Sequence, residues 1–470
     1  MTFEKSIRLG FVNQLLQESI LYTQVNTTSY SILKATQLVI DQLGEKIIKN
    51  VDNDKLSRYK FELPVPLITF FKEHEGFFDE EIMVIRNYSK EFMLEANELL
   101  LKPVTKNCTL SDVILFQRFF IFINQIMSTL LQKKMNKKNK ERVINSLIPS
   151  FNKDRLIGIL ENFIDDKNKI NELIDIFTYE KSYKLDLLYT PFLGASNCIV
   201  FSSMLVSKSN LLRNIIAYSY LSKNQIVNNS NGLDPLVNKC YKLFIDAGYT
   251  TLKNKKYSQN GSKGEIDVLV IHDNDIILIE CKSPLSPVNN FELRSSIDHI
   301  EKANKQLDLS KSAFLDDSFY KSFCKQNNIH YKNREIKTCI VFGNRLLNGY
   351  KNSSRPIRYI HELGMVLDDG IIRSSVGSWS VWESDTFQHQ DLLNYLSDEK
   401  TFIHYMQDSM EQRYVEMYVK GKKARLETYV LNQIKVFELF DKNLKIINKD
   451  EKIRNDIRLE FKEQGMSTDL

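Results

Sequence analysis

The sequence predicts an α/β core at residues 231–384, preceded by a large, mostly helical region and followed by a smaller helical one. Three observations predict it. Two apolar runs rich in Val and Ile, Ile266–Ile271 and Ile276–Cys281, flank the turn-forming pair Asp273-Asn274 and read as a β-hairpin. Helical patterns lie on either side, one ending at Gly248 and one carrying Ile297, Ile300, Asn304 and Leu307 on a single face. Two further β-rich runs, Thr338–Gly343 and Pro356–Ile360, follow.

Residues 1–180 read as a helical domain. Thr109-Leu110-Ser111-Asp112 is a helix start, and Phe116, Phe119, Phe120, Ile123, Met127 and Leu130 recur at helical spacing, which marks core. The stretch Val113–Leu131 is the greasiest in the chain, but Gln117, Arg118, Asn124 and Gln125 interrupt it, so a buried helix is expected and no membrane span. Lys133, Lys134, Lys137, Lys138, Lys140 and Arg142 then form a basic run that suits a solvated helix end or a nucleic-acid contact.

A small α/β connecting subdomain is expected at 181–230, with short strands at Leu185–Tyr189 and Cys198–Phe201 and a helix opened by Ser209 as its cap. The polar break Asn228–Gly232 marks the boundary to the core. The core begins with a helix at Pro235–Ala247 and a strand from Tyr249, and Pro284 and Pro287 end the hairpin's second strand. From 385 to 470 the chain reads as helix, with a basic cluster at Lys420–Arg425 and a charged tail from Asp441 expected to fray or form an exposed helix.

With 470 residues, 43% hydrophobic and 26% charged, the composition is that of an ordinary globular protein of several domains. A net charge of +5 permits a nucleic-acid partner without demanding one. Six scattered cysteines with no CxxC pair suggest neither a disulfide framework nor a zinc site, which fits a reducing cytoplasm. Cys281 and Cys339 read as buried thiols. No signal-type apolar segment follows Met1. His272, His299, His330, His361, His389 and His404 show no ligand spacing, so no histidine site is expected. There is no HExxH, GxSxG, Walker loop or dinucleotide fingerprint.

The hairpin carries the functional signal. With a two-residue turn at Asp273-Asn274, His272 pairs with Asp275, and counting back puts Asp267 directly opposite Glu280. Glu265, Asp267, Leu269 and Ile271 then share a face with Ile276, Leu278, Glu280 and Lys282, while Ile266, Val268, Val270, Ile277, Ile279 and Cys281 form an apolar second face. Strands greasy on both faces belong in the middle of a helix-covered sheet. Two carboxylates facing each other in such a place repel unless something resolves them, and hard divalent cations take oxygen ligands. The alternative is an exposed strand end with a Glu265–Lys282 cross-strand ion pair.

At Gly264-Glu265-Ile266-Asp267 and Glu280-Cys281-Lys282 the chain resembles the PD-(D/E)xK nuclease superfamily, over about residues 232–365. The resemblance implies a restriction-endonuclease-like core, a central mixed β-sheet flanked by helices, in the order helix, three strands, helix, strand. It implies a metal-dependent endonuclease with Asp267, Glu280 and Lys282 as catalytic residues. Mg²⁺ or Mn²⁺ would sit on Asp267, Glu280 and the Cys281 backbone carbonyl. Many relatives add a Glu on the first core helix; here Asn238 stands at about that place, with Asp234 and Asp246 as the nearby acids. Others use a Gln or Lys on the helix after the hairpin, where Lys302 and Gln306 lie one turn apart. Lys253, Lys255, Lys256, Lys263 and Gln306 are the expected nucleic-acid contacts.

DNA is the expected substrate, by analogy, in restriction or phage defence. The helical additions are expected to bind DNA, sense a partner or form a homo-oligomer. An RNA nuclease on the same fold, a catalytically silent binding module and a plain interaction protein are the rival readings.

Overall fold

The computed structural model describes residues 32–53, 56–61, 77–179, 187–202, 205–206, 209–221, 234–259, 261–287, 290–350, 353–397, 402–419 and 422–455. The chain divides into two compact units. One contains Tyr22–Lys90 and Leu94–Ser230; the other contains Met1–Leu21, Glu91–Met93 and Asn231–Leu470.

The first unit is mainly helical. α1 (Ile32–Ile47) leads into an antiparallel hairpin of β1 (Ile48–Asn53) and β2 (Leu56–Phe61), where helix was expected. α2 (Asp79–Phe92) and α3 (Leu110–Lys134) follow. α3 starts as the sequence predicts, with a capping box between Thr109 and Asp112. Phe116, Phe119, Phe120, Ile123, Met127 and Leu130 are all buried. The helix is long and apolar enough to cross a membrane, but here those side chains pack on protein. Arg118, which interrupts the apolar run, is buried against Glu81 through paired contacts of 2.6 and 2.5 Å. A charge so placed needs such a partner.

α4 (Lys153–Leu160) and α5 (Lys167–Phe177) pack beside a small antiparallel sheet in the order β3-β5-β4, made of β3 (Ser150–Asn152), β4 (Phe192–Ala195) and β5 (Cys198–Phe201). Phe192 and Phe201 meet the Phe120 ring at 4.9 and 5.2 Å, so these strands share the core of α3. In the expected strand Leu185–Tyr189, residues 187–189 form a turn and the rest lies outside the described residues, as does Asn228–Gly232. α6 (Leu211–Leu221) is opened by Asn210, whose Oδ1 accepts the Arg213 N–H at 3.0 Å. Ser209, the expected cap, instead donates its hydroxyl to the Leu205 carbonyl at 2.8 Å.

The second unit is a mixed α/β structure built on a five-stranded sheet. α7 (Pro235–Asp246) is capped by Asp234, whose carboxylate accepts the Leu236 N–H at 2.8 Å, and stops at Gly248 with φ +85°. β6 (Thr250–Gln259), β7 (Ser262–Ile271) and β8 (Asp275–Lys282) form an antiparallel meander. α8 (Asn290–Leu315) and α9 (Asp317–Gln326) cross over to β9 (Glu335–Phe342), which runs parallel to β8, and β10 (Ile357–Tyr359) runs parallel to β9. The sheet order is β10-β9-β8-β7-β6.

Each face of the sheet has its own core, as strands apolar on both sides require. Val268, Val270, Ile277, Ile279 and Cys281 pack against Leu236, Val237, Cys240 and Phe244 of α7 and against α10 (Ile360–Asp368). Leu269, Ile271, Ile276 and Leu278 pack against Leu293, Ile300, Ala303 and Leu307 of α8. Cys281 and Cys339 are buried thiols outside any disulfide.

The expectation of a helical C-terminal region needs correction. β11 (Ile371–Ser374), β12 (Gly377–Ser380), α11 (His389–Leu396) and α12 (Phe402–Asp408) are followed by an antiparallel hairpin of two ten-residue strands, β13 (Met410–Val419) and β14 (Lys422–Leu431). α13 (Gln433–Asn443) then leads to β15 (Lys445–Lys449), which pairs with β12. Charged residues at Glu411, Arg413, Glu416, Lys422, Lys423, Arg425 and Glu427 break up the apolar pattern of the two strands and hid their β character. Lys420 and Gly421 lie outside the described residues. Nor does the chain fray at Asp441, whose carboxylate holds the Trp379 indole N–H at 2.8 Å, Lys449 at 2.8 Å and Arg454 at 2.6 Å; the rest of the expected tail, 456–470, lies outside the described residues.

Candidate active site

Turn chemistry sets the register. Val268–Ile279, Leu269–Leu278, Val270–Ile277 and Ile271–Ile276 are paired, and the His272 N–H donates to the Asp275 carbonyl at 3.0 Å. These are the pairs that a two-residue turn at Asp273-Asn274 predicts. The next position up is Asp267 and Glu280, and there the ladder between β7 and β8 ends.

The neighbouring strand explains why. β6 pairs with β7 at Lys253–Val268 and again at Lys255–Ile266, skipping Asn254 and Asp267. Asn254 has φ +51°, a left-handed conformation that Asn tolerates better than most residues and that breaks strand geometry. Side-chain alternation shifts across this point. Ile266 joins the α8-side core with Leu269, which corrects its expected place beside Val268.

Asp267 is thereby released from the ladder, and its carboxylate accepts the Cys281 N–H at 2.8 Å. The N–H and C=O of one strand residue leave the backbone on the same side. The Cys281 carbonyl therefore also faces the β7 side.

Glu280 is 3% exposed and hydrogen-bonds to Asp267. Burial, then the Asp267 charge, push its carboxyl up to about 7. Burial raises Asp267 as well, against the opposing pull of the Cys281 N–H and Lys282. Lys282 Nζ lies 2.5 Å from Glu280 Oε1 and donates to Gln306 Oε1 at 3.0 Å. The ion pair of Lys282 is thus with Glu280, not with Glu265 as in the exposed-strand alternative. The buried Glu280 carboxyl, the half-buried Asp267 carboxyl and a carbonyl on the same side, with no ion pair to Asp267 among the described residues, form an oxygen donor set that fits Mg²⁺ or Mn²⁺.

The remaining predicted residues divide. Lys256, Lys263, Gln306, Tyr257 and Glu265 line an open groove of about 670 Å³, which Gln306 links to Lys282. Lys255 is half-buried opposite Ile266. Lys253 is turned away: its ammonium lies 2.5 Å from Asn238 Oδ1 and 4.7 Å from the Tyr241 ring centre, on the α7 side. Asn238 is thereby occupied as well. Asp246 is exposed near the far end of α7. Asp234 is close enough to raise the Asp267 pKa, although its carboxylate caps α7. Lys302 is exposed.

Two features escaped sequence reasoning. His299, two turns before Gln306 on α8, is kept neutral by burial and then by Lys282; the seven-residue spacing was the available signal. His272 and His389 come together with Asp275, which corrects the expectation of no histidine cluster. Sequence distance hid that pair. Comparison with known proteins gives no family: no protein-family model, curated protein or solved structure matches the chain.

Proposed function

We propose that the chain is a metal-dependent nuclease that hydrolyses phosphodiester bonds, in DNA by preference, on a restriction-endonuclease-like core. One observation carries the reading: Glu280 is buried beside a half-buried Asp267 at the end of a hairpin, with Glu280 raised to about 7 and Lys282 beside it. Like-charged carboxyls in a low-dielectric pocket are costly to a folded chain and are well suited to a divalent cation. Bound to Asp267, Glu280 and the Cys281 carbonyl, Mg²⁺ or Mn²⁺ supplies Lewis acidity toward the phosphate.

The chain's own residues do the rest. Gln306 holds the Lys282 ammonium at 3.0 Å, where it offsets phosphate charge and orients an attacking water. Lys256 and Lys263 line the groove and engage flanking phosphates without reading bases. Asp234, tied up as a helix cap, favours one resident cation over two. Restriction or phage defence is the setting the resemblance suggests.

The test is nicking and linearisation of supercoiled plasmid in Mg²⁺ or Mn²⁺, with wild type, Lys282→Ala and an EDTA control, and with single-stranded RNA in parallel. Cleavage by wild type alone, abolished by EDTA, supports the proposal. Binding of nucleic acid without cleavage under either metal overturns it in favour of a silent binding module.

A further inference from the structure

The turn end of the same hairpin carries a second group of side chains that the proposed cleavage does not use. Asp275, the first residue of β8, is 3% exposed. Two imidazoles converge on it. His389 Nε2 lies 2.8 Å from Asp275 Oδ2, and His272 Nδ1 lies 3.9 Å from the same oxygen. The two rings stack with centroids 3.5 Å apart. One donor atom from each of the three residues lies within 4.8 Å of the others. The Tyr249 hydroxyl stands 2.9 Å from His389 Nδ1, and Arg334 Nε donates to the His272 carbonyl at 2.7 Å, pinning the turn.

The hydrogen bonds of this group do not close. His389 uses both ring nitrogens, but His272 Nδ1 and Asp275 Oδ1 are buried with no partner. Buried polar atoms are almost always satisfied, and exceptions need a reason.

We propose that His272, Asp275 and His389 form a site for a divalent transition-metal ion of the zinc class, clasping α11 to the β7–β8 turn. Two imidazoles and a carboxylate are a borderline donor set that suits Zn²⁺ and not Mg²⁺. Ligand atoms about 2.0–2.2 Å from a tetrahedral Zn²⁺ lie about 3.3 Å apart. The observed 2.8 and 3.9 Å bracket that spacing, so rotation of the stacked rings would bring the three donors onto one ion, with water as the fourth ligand. Tyr249, on the far nitrogen of His389, supplies the outer hydrogen bond that fixes a ligating imidazole. Asp275 and Glu280 lie five residues apart on β8, about 17 Å at the usual strand rise, so the two sites are separate.

The experiment uses the full chain, stripped with chelator and dialysed against ZnCl₂, with bound metal measured by mass spectrometry. A titration with CoCl₂ follows the visible absorption. One zinc per chain is expected, with a four-coordinate Co²⁺ spectrum. His272→Gln and His389→Ala should each weaken Co²⁺ binding at least tenfold. Asp267→Asn, at the other end of the hairpin, should leave it unchanged. His272 is partly exposed, so His272→Gln decides the matter if His389→Ala does not fold. Absence of retained zinc overturns the proposal. So does Co²⁺ binding undiminished in His272→Gln, or lost in Asp267→Asn, which would place the metal at the carboxyl pair.

Discussion

Glu280→Gln separates a metal-ready acid pair from an ordinary ion pair. Glu280 is raised from 4.5 to about 7, chiefly by burial and then by Asp267. At about 1.4 kcal/mol per pKa unit, that is about 3 kcal/mol against the ionised form in the folded chain. The folded pKa lies above the unfolded one, so the folded chain binds the proton more tightly between pH 4.5 and 7. The stabilisation from the protonated form is full below pH 4.5 and is lost as pH rises through 7. A neutral Gln removes that loss, partly offset by the lost contact with Lys282.

In EDTA at pH 8 the variant should therefore be more stable by about 1–3 kcal/mol. For a unit of this size that is a rise of about 3–10 °C in melting temperature. At pH 4.5 the shift should nearly vanish. Thermal melts followed by circular dichroism at both pH values read the difference. If the variant melts lower at pH 8, Glu280 and Lys282 form a stabilising structural pair and the argument for a strained metal site fails. An equal shift at both pH values would refute the linkage.

Two further predictions concern the groove. Lys256→Ala and Lys263→Ala should each weaken binding of duplex DNA uniformly across sequences and reduce the salt slope by about 1, measured by fluorescence anisotropy against NaCl concentration. Lys253→Ala should leave that slope unchanged, because its ammonium is held by Asn238 and the Tyr241 ring; an equal loss there would show that the lysines act only as bulk charge. Gly264→Ala should cost about 1–3 kcal/mol in chemical denaturation, because a Cβ at 264 overlaps the Tyr257 ring that lies across it. Retained stability in that variant would mean the ring moves aside freely.

What could be read from the sequence divides by range. The hairpin register follows from two turn residues and a period of two, and both are local, so Asp267 and Glu280 could be placed one beside the other before any coordinates. The capping box of α3 and the Gly248 stop of α7 are local in the same sense. Gln306 came from helical periodicity plus the resemblance, and it does reach Lys282. The failures are of another kind. Lys253 and Lys256 look alike in sequence, but Lys256 lines the groove while Lys253 is held on the α7 side, and which face of the strand meets the groove is set by packing that no local pattern encodes. Ile266, across from Lys255, packs in the other core from Val268, where strict alternation puts them together. His272 and His389 meet only because β12 and the segment after it return α11 to the turn, which no local pattern encodes.

These misses are connected to the site itself. A regular β7 would keep Asp267 in the ladder with its neighbours, two carboxyls locked opposite each other with nothing to relieve them. The irregularity at Asn254 breaks the pairing at that one position and leaves Asp267 free to take the Cys281 N–H. Ile266, beside Asp267, packs toward α8, the helix that carries Gln306. The departure from the simple alternating pattern is therefore what assembles the site. An Asn inside a lysine-rich β run, opposite an acid, was the one sequence signal of it.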